Sequence, residues 1–143
     1  MLSHLVYVSV ASGPMGEVDL AALLEQSRAR NERNGITGML LFKDGFFIQL
    51  LEGHEEDVLK VYDSITRDDR HQKVELLWFR YAQYRDFPDW TMGFQNLDEL
   101  DPSTLEGFTP FLDRDFRYEN FLENSTDVHT MLLAFKDNPL ILA

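Results

Sequence analysis

The sequence predicts an α+β fold, a ferredoxin-like β-α-β-β-α-β sheet with an added fifth strand. Two segments of helical period alternate with short β-branched and aromatic runs. Asp44-Gly45 joins two of those runs as a hairpin. The chain has 143 residues, 44% of them hydrophobic, which suits one core and leaves little room for a second.

Leu5 to Val10 is β-branched and aromatic, and Gly13-Pro14 stops it, so it reads as the first strand. From Asp19 to about Arg33, Leu20, Leu23 and Leu24 recur at helical spacing with Gln26, Arg28, Arg30 and Glu32 outside. Asn34-Gly35 ends that helix, because glycine takes the left-handed cap conformation without penalty. Ile36 to Phe42 and Phe46 to Leu51 are the hairpin strands. Val58, Val61, Tyr62 and Ile65 mark a second helix from Glu55 to about Arg67. Val74 to Tyr81 is a fourth strand, and Met92 to Gln95 a short fifth after Pro88.

In a split β-α-β arrangement the third strand inserts between the first and second. Side chains alternate along a strand, so Tyr7 shares a face with Leu5 and Ser9, and Gln49 one with Phe47 and Leu51. Tyr7 and Gln49 are therefore expected to meet across adjacent strands. Both helices pack on one side of the sheet. The opposite face, Val6, Val8 and Val10 with Phe46, Ile48 and Leu50, then needs separate cover. Residues 98–143 are read as a C-terminal helical cap over the core of residues 1–97. The cap is expected to use Phe108, Phe111, Leu112, Phe116 and Phe121, then a helix from Thr126 to Lys136 carrying Val128, Met131, Leu132 and Phe135.

Gln49 is the residue out of place. It interrupts Phe46-Phe47-Ile48-Gln49-Leu50-Leu51, and an unpartnered buried amide costs about 1–3 kcal/mol. Tyr7 can satisfy it as an ordinary core hydrogen bond, or the two can serve a ligand with hydrogen-bonding edges. Asn31, one helical turn beyond Ser27, offers an amide donor and acceptor; taken alone it is a helix-end residue. Asp68, Arg70 and His71 close the second helix, either as a solvated helix end or as contacts to a ligand carbonyl or phosphate. Trp90 and Met92, two apart, are expected on one face of the fifth strand.

Composition narrows the function. A net charge of −12 disfavours nucleic acid and anionic membrane surfaces. No apolar run approaches the ~20 residues a bilayer requires, and the start lacks a signal-peptide pattern, so a cytoplasmic protein is expected. There is no cysteine, hence no thiolate nucleophile or Cys-ligated metal. His4, His54, His71 and His129 show no metal-ligand spacing, so no metal site is expected. No phosphate-binding glycine motif or serine-nucleophile motif occurs.

These fragments together resemble the BLUF family of blue-light-sensing flavin domains. The matching stretches are Leu5-Val6-Tyr7-Val8-Ser9, Ser27-Arg28-Ala29-Arg30-Asn31, Asn34-Gly35-Ile36-Thr37-Gly38, Asp44-Gly45-Phe46-Phe47-Ile48-Gln49-Leu50-Leu51-Glu52-Gly53, Asp68-Asp69-Arg70-His71 and Trp90-Thr91-Met92-Gly93-Phe94. The resemblance covers residues 1 to about 96. It implies a flavin, normally FAD with FMN as the variant, between the two helices and edge-on to the sheet.

By matching position, Tyr7 is the electron and proton donor to the excited flavin, and Gln49 the amide that relays the proton. Asn31 anchors the polar edge. Ser27, Asp68, Arg70 and His71 lie at the rim, and Leu23, Leu24, Phe47 and Ile65 form apolar walls. Trp90 and Met92 match the family's proposed output pair. Arg30 replaces the Asn or His common in the family; a guanidinium donates but cannot accept, which points it toward a phosphate. The absence of cysteine also excludes a flavin–cysteine adduct.

The resemblance further implies a sensor without enzymatic activity, short and stand-alone. It would signal through a downstream protein or through self-association, as a homo-oligomer. The alternatives are a ferredoxin-like flavoenzyme or small-ligand hydrolase, and a cofactor-free interaction module. Colour and a reversible light-dependent red shift separate the three.

Overall fold

In the computed structural model, which describes residues 1–98 together with 128, 132 and 133, five strands and two helices follow the expected order. Strand β1 is Leu2–Ala11, helix α1 Glu17–Asn34, β2 Thr37–Lys43 and β3 Phe46–His54. Helix α2 is Glu55–Thr66, β4 His71–Tyr81 and β5 Gly93–Asn96. The sheet order is β4-β1-β3-β2-β5, with β5 parallel to β2 and the other pairs antiparallel. The third strand does insert between the first and second.

Local chemistry fixes the boundaries. Asp19 accepts a hydrogen bond from the Gly16 N–H at 3.0 Å, which places the start of α1 two residues before the first periodic leucine region was expected to begin. Gly35 closes α1 with φ 66°. The hairpin turn has positive φ at Asp44 (49°) and Gly45 (81°), the twist-matched geometry that Asp-Gly favours.

Alternate residues of each strand go to two cores. On the helix side, Leu5, Tyr7, Leu40, Phe42, Phe47 and Leu51 pack against Leu20, Leu23 and Leu24 of α1 and Val58, Val61 and Ile65 of α2. On the other side, Val6, Val8, Met39, Leu41, Ile48 and Leu50 pack with Phe87, Leu97, Val128 and Leu132. Val128 and Leu132 are helical, buried and four positions apart, and both join this second core. Phe108, Phe111, Leu112, Phe116, Phe121, Met131 and Phe135 lie outside the described residues.

One expectation fails. Trp90 and Met92 do not share a face: Met92 is buried in the helix-side core, whereas Trp90 packs on the opposite core and stacks on Phe87 at 5.3 Å. The reason is that β5 begins only at Gly93. Residues 87–92 form a turn, where the period-two rule does not hold. Gly93 suits this packing, since a Cβ there would sit 2.7 Å from the Trp90 ring and 2.8 Å from the Met39 sulfur.

Candidate functional site: a buried phenol–amide pair under a cleft

The register of β1 on β3 places Tyr7 directly opposite Gln49. The phenol O–H donates to Gln49 Oε1, and Gln49 Nε2 donates to the Met92 sulfur at 3.2 Å. All three side chains are buried. The misplaced amide is thus satisfied at both ends, by a phenol and by a thioether, and the thioether is the weaker partner.

Above the pair lies a narrow cleft between the two helices. Its floor is Tyr7, Gln49 and Leu40. Its walls are Leu23, Ser27 and Arg30 of α1 and Ile65 of α2, and Asp68, Arg70 and His71 close its rim. Helices reach this cleft from both sides because Leu23 and Ile65 also anchor them to the sheet. Apolar walls, a hydrogen-bonding floor and a rim of donors form a setting suited to a flat heterocycle with a polar edge.

The electrostatics follow from burial. Removal from water pushes the Tyr7 phenol well above its ordinary value, while the nearby Arg30 charge pulls the other way. Tyr7 is therefore a neutral phenol at any ordinary pH. Burial also lowers the Arg30 guanidinium. The Arg70 hydrogen bonds hold Asp68 below the usual carboxylate range, with Arg70 Nε 3.0 Å and Nη2 2.6 Å from its oxygens. His71 is pushed down to about 4, mainly by burial, so its ring is neutral near pH 7. The Ser9 hydroxyl lies 2.8 Å from His71 Nδ1.

Of the residues expected around a cofactor, Tyr7, Leu23, Ser27, Arg30, Gln49, Ile65, Asp68, Arg70 and His71 line the cleft. Leu24 and Phe47 belong to the core beside it, with the Phe47 ring 4.8 Å from that of His71. Asn31 is fully buried behind the cleft: Nδ2 donates to the Thr91 carbonyl at 2.8 Å, and Arg30 Nε donates to Oδ1 at 3.4 Å. Leu40 was missed, although it is the β2 partner of Gln49 and alternation places it on the same face.

A second polar group was also missed. The buried Glu52 carboxylate accepts from the Asp86 N–H, from the Phe87 N–H at 2.9 Å and from Thr37 Oγ1 at 3.0 Å. His4 Nε2 lies 3.2 Å from it and 2.9 Å from the Tyr84 carbonyl. Arg85 donates to Thr37 Oγ1, the Glu52 carbonyl and the Gly35 carbonyl at 2.8–3.1 Å. This knot ties the start of the 84–92 loop to β1, β2 and β3. Its members are dispersed in sequence, and no spacing rule connects them.

The family profile described as BLUF, sensors of blue-light using FAD, matches residues 2–93. The chain belongs to the BLUF family. As a BLUF domain it is a blue-light sensor whose cofactor is a flavin, FAD by the family's description. Among its relatives, the photoactivated adenylate cyclase subunit beta of Euglena gracilis is 38% identical over 92 residues, which are 64% of this chain and 11% of that protein. The chain thus spans about a tenth of the length of the curated relatives it matches. The dark-state structure of the BLUF protein BlrB superposes with a TM-score of 0.79 at 29% identity, covering 94% of this chain and 95% of that one. BlrP1 of Klebsiella pneumoniae, solved with FMN and cyclic diGMP, gives 0.69 at 35% identity over 87% of this chain and 35% of that one. The sheet and helices described above are those of a BLUF domain. Among the described residues, no helix is long and apolar enough to cross a membrane.

Proposed function

We propose that this BLUF domain senses blue light through Tyr7 and Gln49 and transmits the change by protein–protein contact rather than by catalysis. The observation that carries this is the continuous buried chain from the Tyr7 hydroxyl through the Gln49 amide to the Met92 sulfur, lying on the floor of the cleft. When bound, the flavin absorbs the light and supplies an excited state that accepts an electron.

The rest belongs to the protein. A phenol this strongly buried gives up an electron readily only if its proton leaves too. The Gln49 oxygen already accepts that O–H, so the proton has a path that needs no movement of Tyr7. An amide that has handled a proton can return in a second orientation, with its N–H2 toward Tyr7 and its oxygen toward Met92. A sulfur cannot donate to that oxygen, so the contact with Met92 is broken. The two bonding patterns make the bistable element that a switch needs.

Leu23, Leu40 and Ile65 would pack the flavin ring, Ser27 and His71 would meet its polar rim, and Arg30 and Arg70 would favour a phosphate-bearing tail. This is the support for FAD over a neutral flavin; FMN fits the same charge logic. Met92 on one side of the sheet and Trp90 on the other would carry the output. The receiver is a second copy of the chain or a separate protein, in the cytoplasm. The longer cyclase relatives couple the same module to an effector, which supports a sensory role here.

Absorption spectroscopy tests this. The purified protein should be yellow, and blue light should produce a red shift that reverses in the dark. A colourless protein, or a yellow one without the reversible shift, would refute the reading.

A further inference from the structure

Helix α1 holds the Met92 segment by its backbone. Three successive carbonyls of residues 90–92 are each bonded: Trp90 O accepts from the Gly38 N–H at 3.1 Å, Thr91 O from Asn31 Nδ2 at 2.8 Å, and Met92 O from Arg28 Nε at 3.0 Å. Two of the three donors come from α1, three positions apart, so they project from the same helix face. Regular strand pairing begins only at Gly93. Met92 is therefore placed opposite Gln49 ahead of the sheet ladder, with Arg28 of α1 as the hold on its own carbonyl.

We infer that Arg28 is a positioning residue for the Gln49 switch, and that α1 registers the change at Gln49 through it. The inference rests on the Tyr7–Gln49 relay proposed above. Arg28 fixes the Met92 backbone, and this fixed backbone presents the sulfur to Gln49 Nε2 at 3.2 Å. That contact favours the resting orientation of the amide. After the amide turns, the sulfur faces an oxygen and must withdraw, while Arg28 and Asn31 still grip the carbonyls beside it. The displaced side chain then pulls on α1. Removing the grip of Arg28 should loosen Met92 in the resting state and slow the return to it.

The test uses the flavin-loaded full chain with methyl-labelled methionine. Arg28→Met keeps most of the apolar stem and deletes the donor; Arg28→Lys keeps a cation that can donate to the carbonyl. In the dark, Arg28→Met should move the Met92 methyl resonance and leave that of Met1 unchanged. Its dark recovery should slow by about threefold to tenfold, the range one hydrogen bond is worth, with flavin occupancy unaltered. Arg28→Lys should restore both readouts in large part. In a Met92→Leu background, which lacks the sulfur acceptor, Arg28→Met should add no further slowing.

An unmoved Met92 methyl signal, recovery within twofold of the parent, or additive effects in the double variant would each overturn the inference. A parent protein with no reversible red shift would instead overturn the relay, and the dark methyl spectrum would still report whether Arg28 holds Met92.

Discussion

The two faces of the sheet are built from the same strands and differ in kind. The face away from the helices is close-packed hydrocarbon around Val6, Val8, Ile48 and Leu50, closed by Val128 and Leu132, with a buried polar pair, His4 and Glu52, at the end of the same strands. The helix face carries Tyr7, Ser9 and Gln49 among its leucines and phenylalanines, with Asn31 of α1 beside them, all buried. Buried polar groups hold a few discrete bonding patterns, whereas close-packed hydrocarbon has one arrangement and pays for any void. The proposed switch lies on the helix side, and the hydrocarbon around Val6, Val8, Ile48 and Leu50 supplies stability.

The sharpest way to break that division is to remove the polar pair. Tyr7→Phe keeps the ring and deletes its proton, and Gln49→Leu keeps the volume and deletes the amide. Both should bind flavin and lose the reversible red shift altogether by absorption spectroscopy. A normal photoproduct in either would move the switch elsewhere. The opposite experiment is Leu50→Ala on the far face. It should cost about 2–5 kcal/mol in chemical denaturation, as buried leucine truncations do, and leave the size of the spectral shift unchanged.

Acid should separate the faces more mildly. His71 has its value lowered to about 4 by burial, so between about pH 6.5 and 4 the unfolded chain binds a proton that the native chain does not. Stability therefore rises with pH through that window and falls on acidification. Asp68, also held low, adds loss in the same direction below it. His71→Asn should flatten the pH dependence of the denaturation midpoint between pH 6.5 and 4; an unchanged profile would show that His71 is not its source.

The smallest effect expected is that of Asn31→Ala. Loss of one bond to the Thr91 carbonyl should lower stability by about 1 kcal/mol. It should also speed flavin release, measured by fluorescence recovery on dilution. No change in either would leave Asn31 as a helix terminator only.

How far the sequence reached follows from the range of each rule. Tyr7 opposite Gln49 was legible because alternation is local and the β-α-β-β-α-β order itself dictates which strands are neighbours. Asp44-Gly45 and Asn34-Gly35 were legible because left-handed backbone needs particular residues. Trp90 and Met92 were assigned to one face because a strand rule was extended into a turn, and nothing in Pro88-Asp89-Trp90-Thr91 marks where pairing starts. The bonds from Arg28 and Asn31 end on backbone carbonyls, which leave no trace in side-chain identity. The Glu52 knot joins residues from His4 to Phe87, too far apart for any local pattern.

That knot also limits the kind of movement available. Asp86 and Phe87 are pinned to Glu52, and from Gly93 onward the chain is laced to β2. The stretch Pro88 to Met92 is a short span anchored at both ends, so it cannot slide lengthwise. Within it the carbonyls of Trp90, Thr91 and Met92 are held by Gly38, Asn31 and Arg28, so the backbone is braced along its length and the freedom left belongs to the side chains. Met92 and Trp90 stand on opposite sides of the sheet, so one short braced segment is in contact with both cores at once.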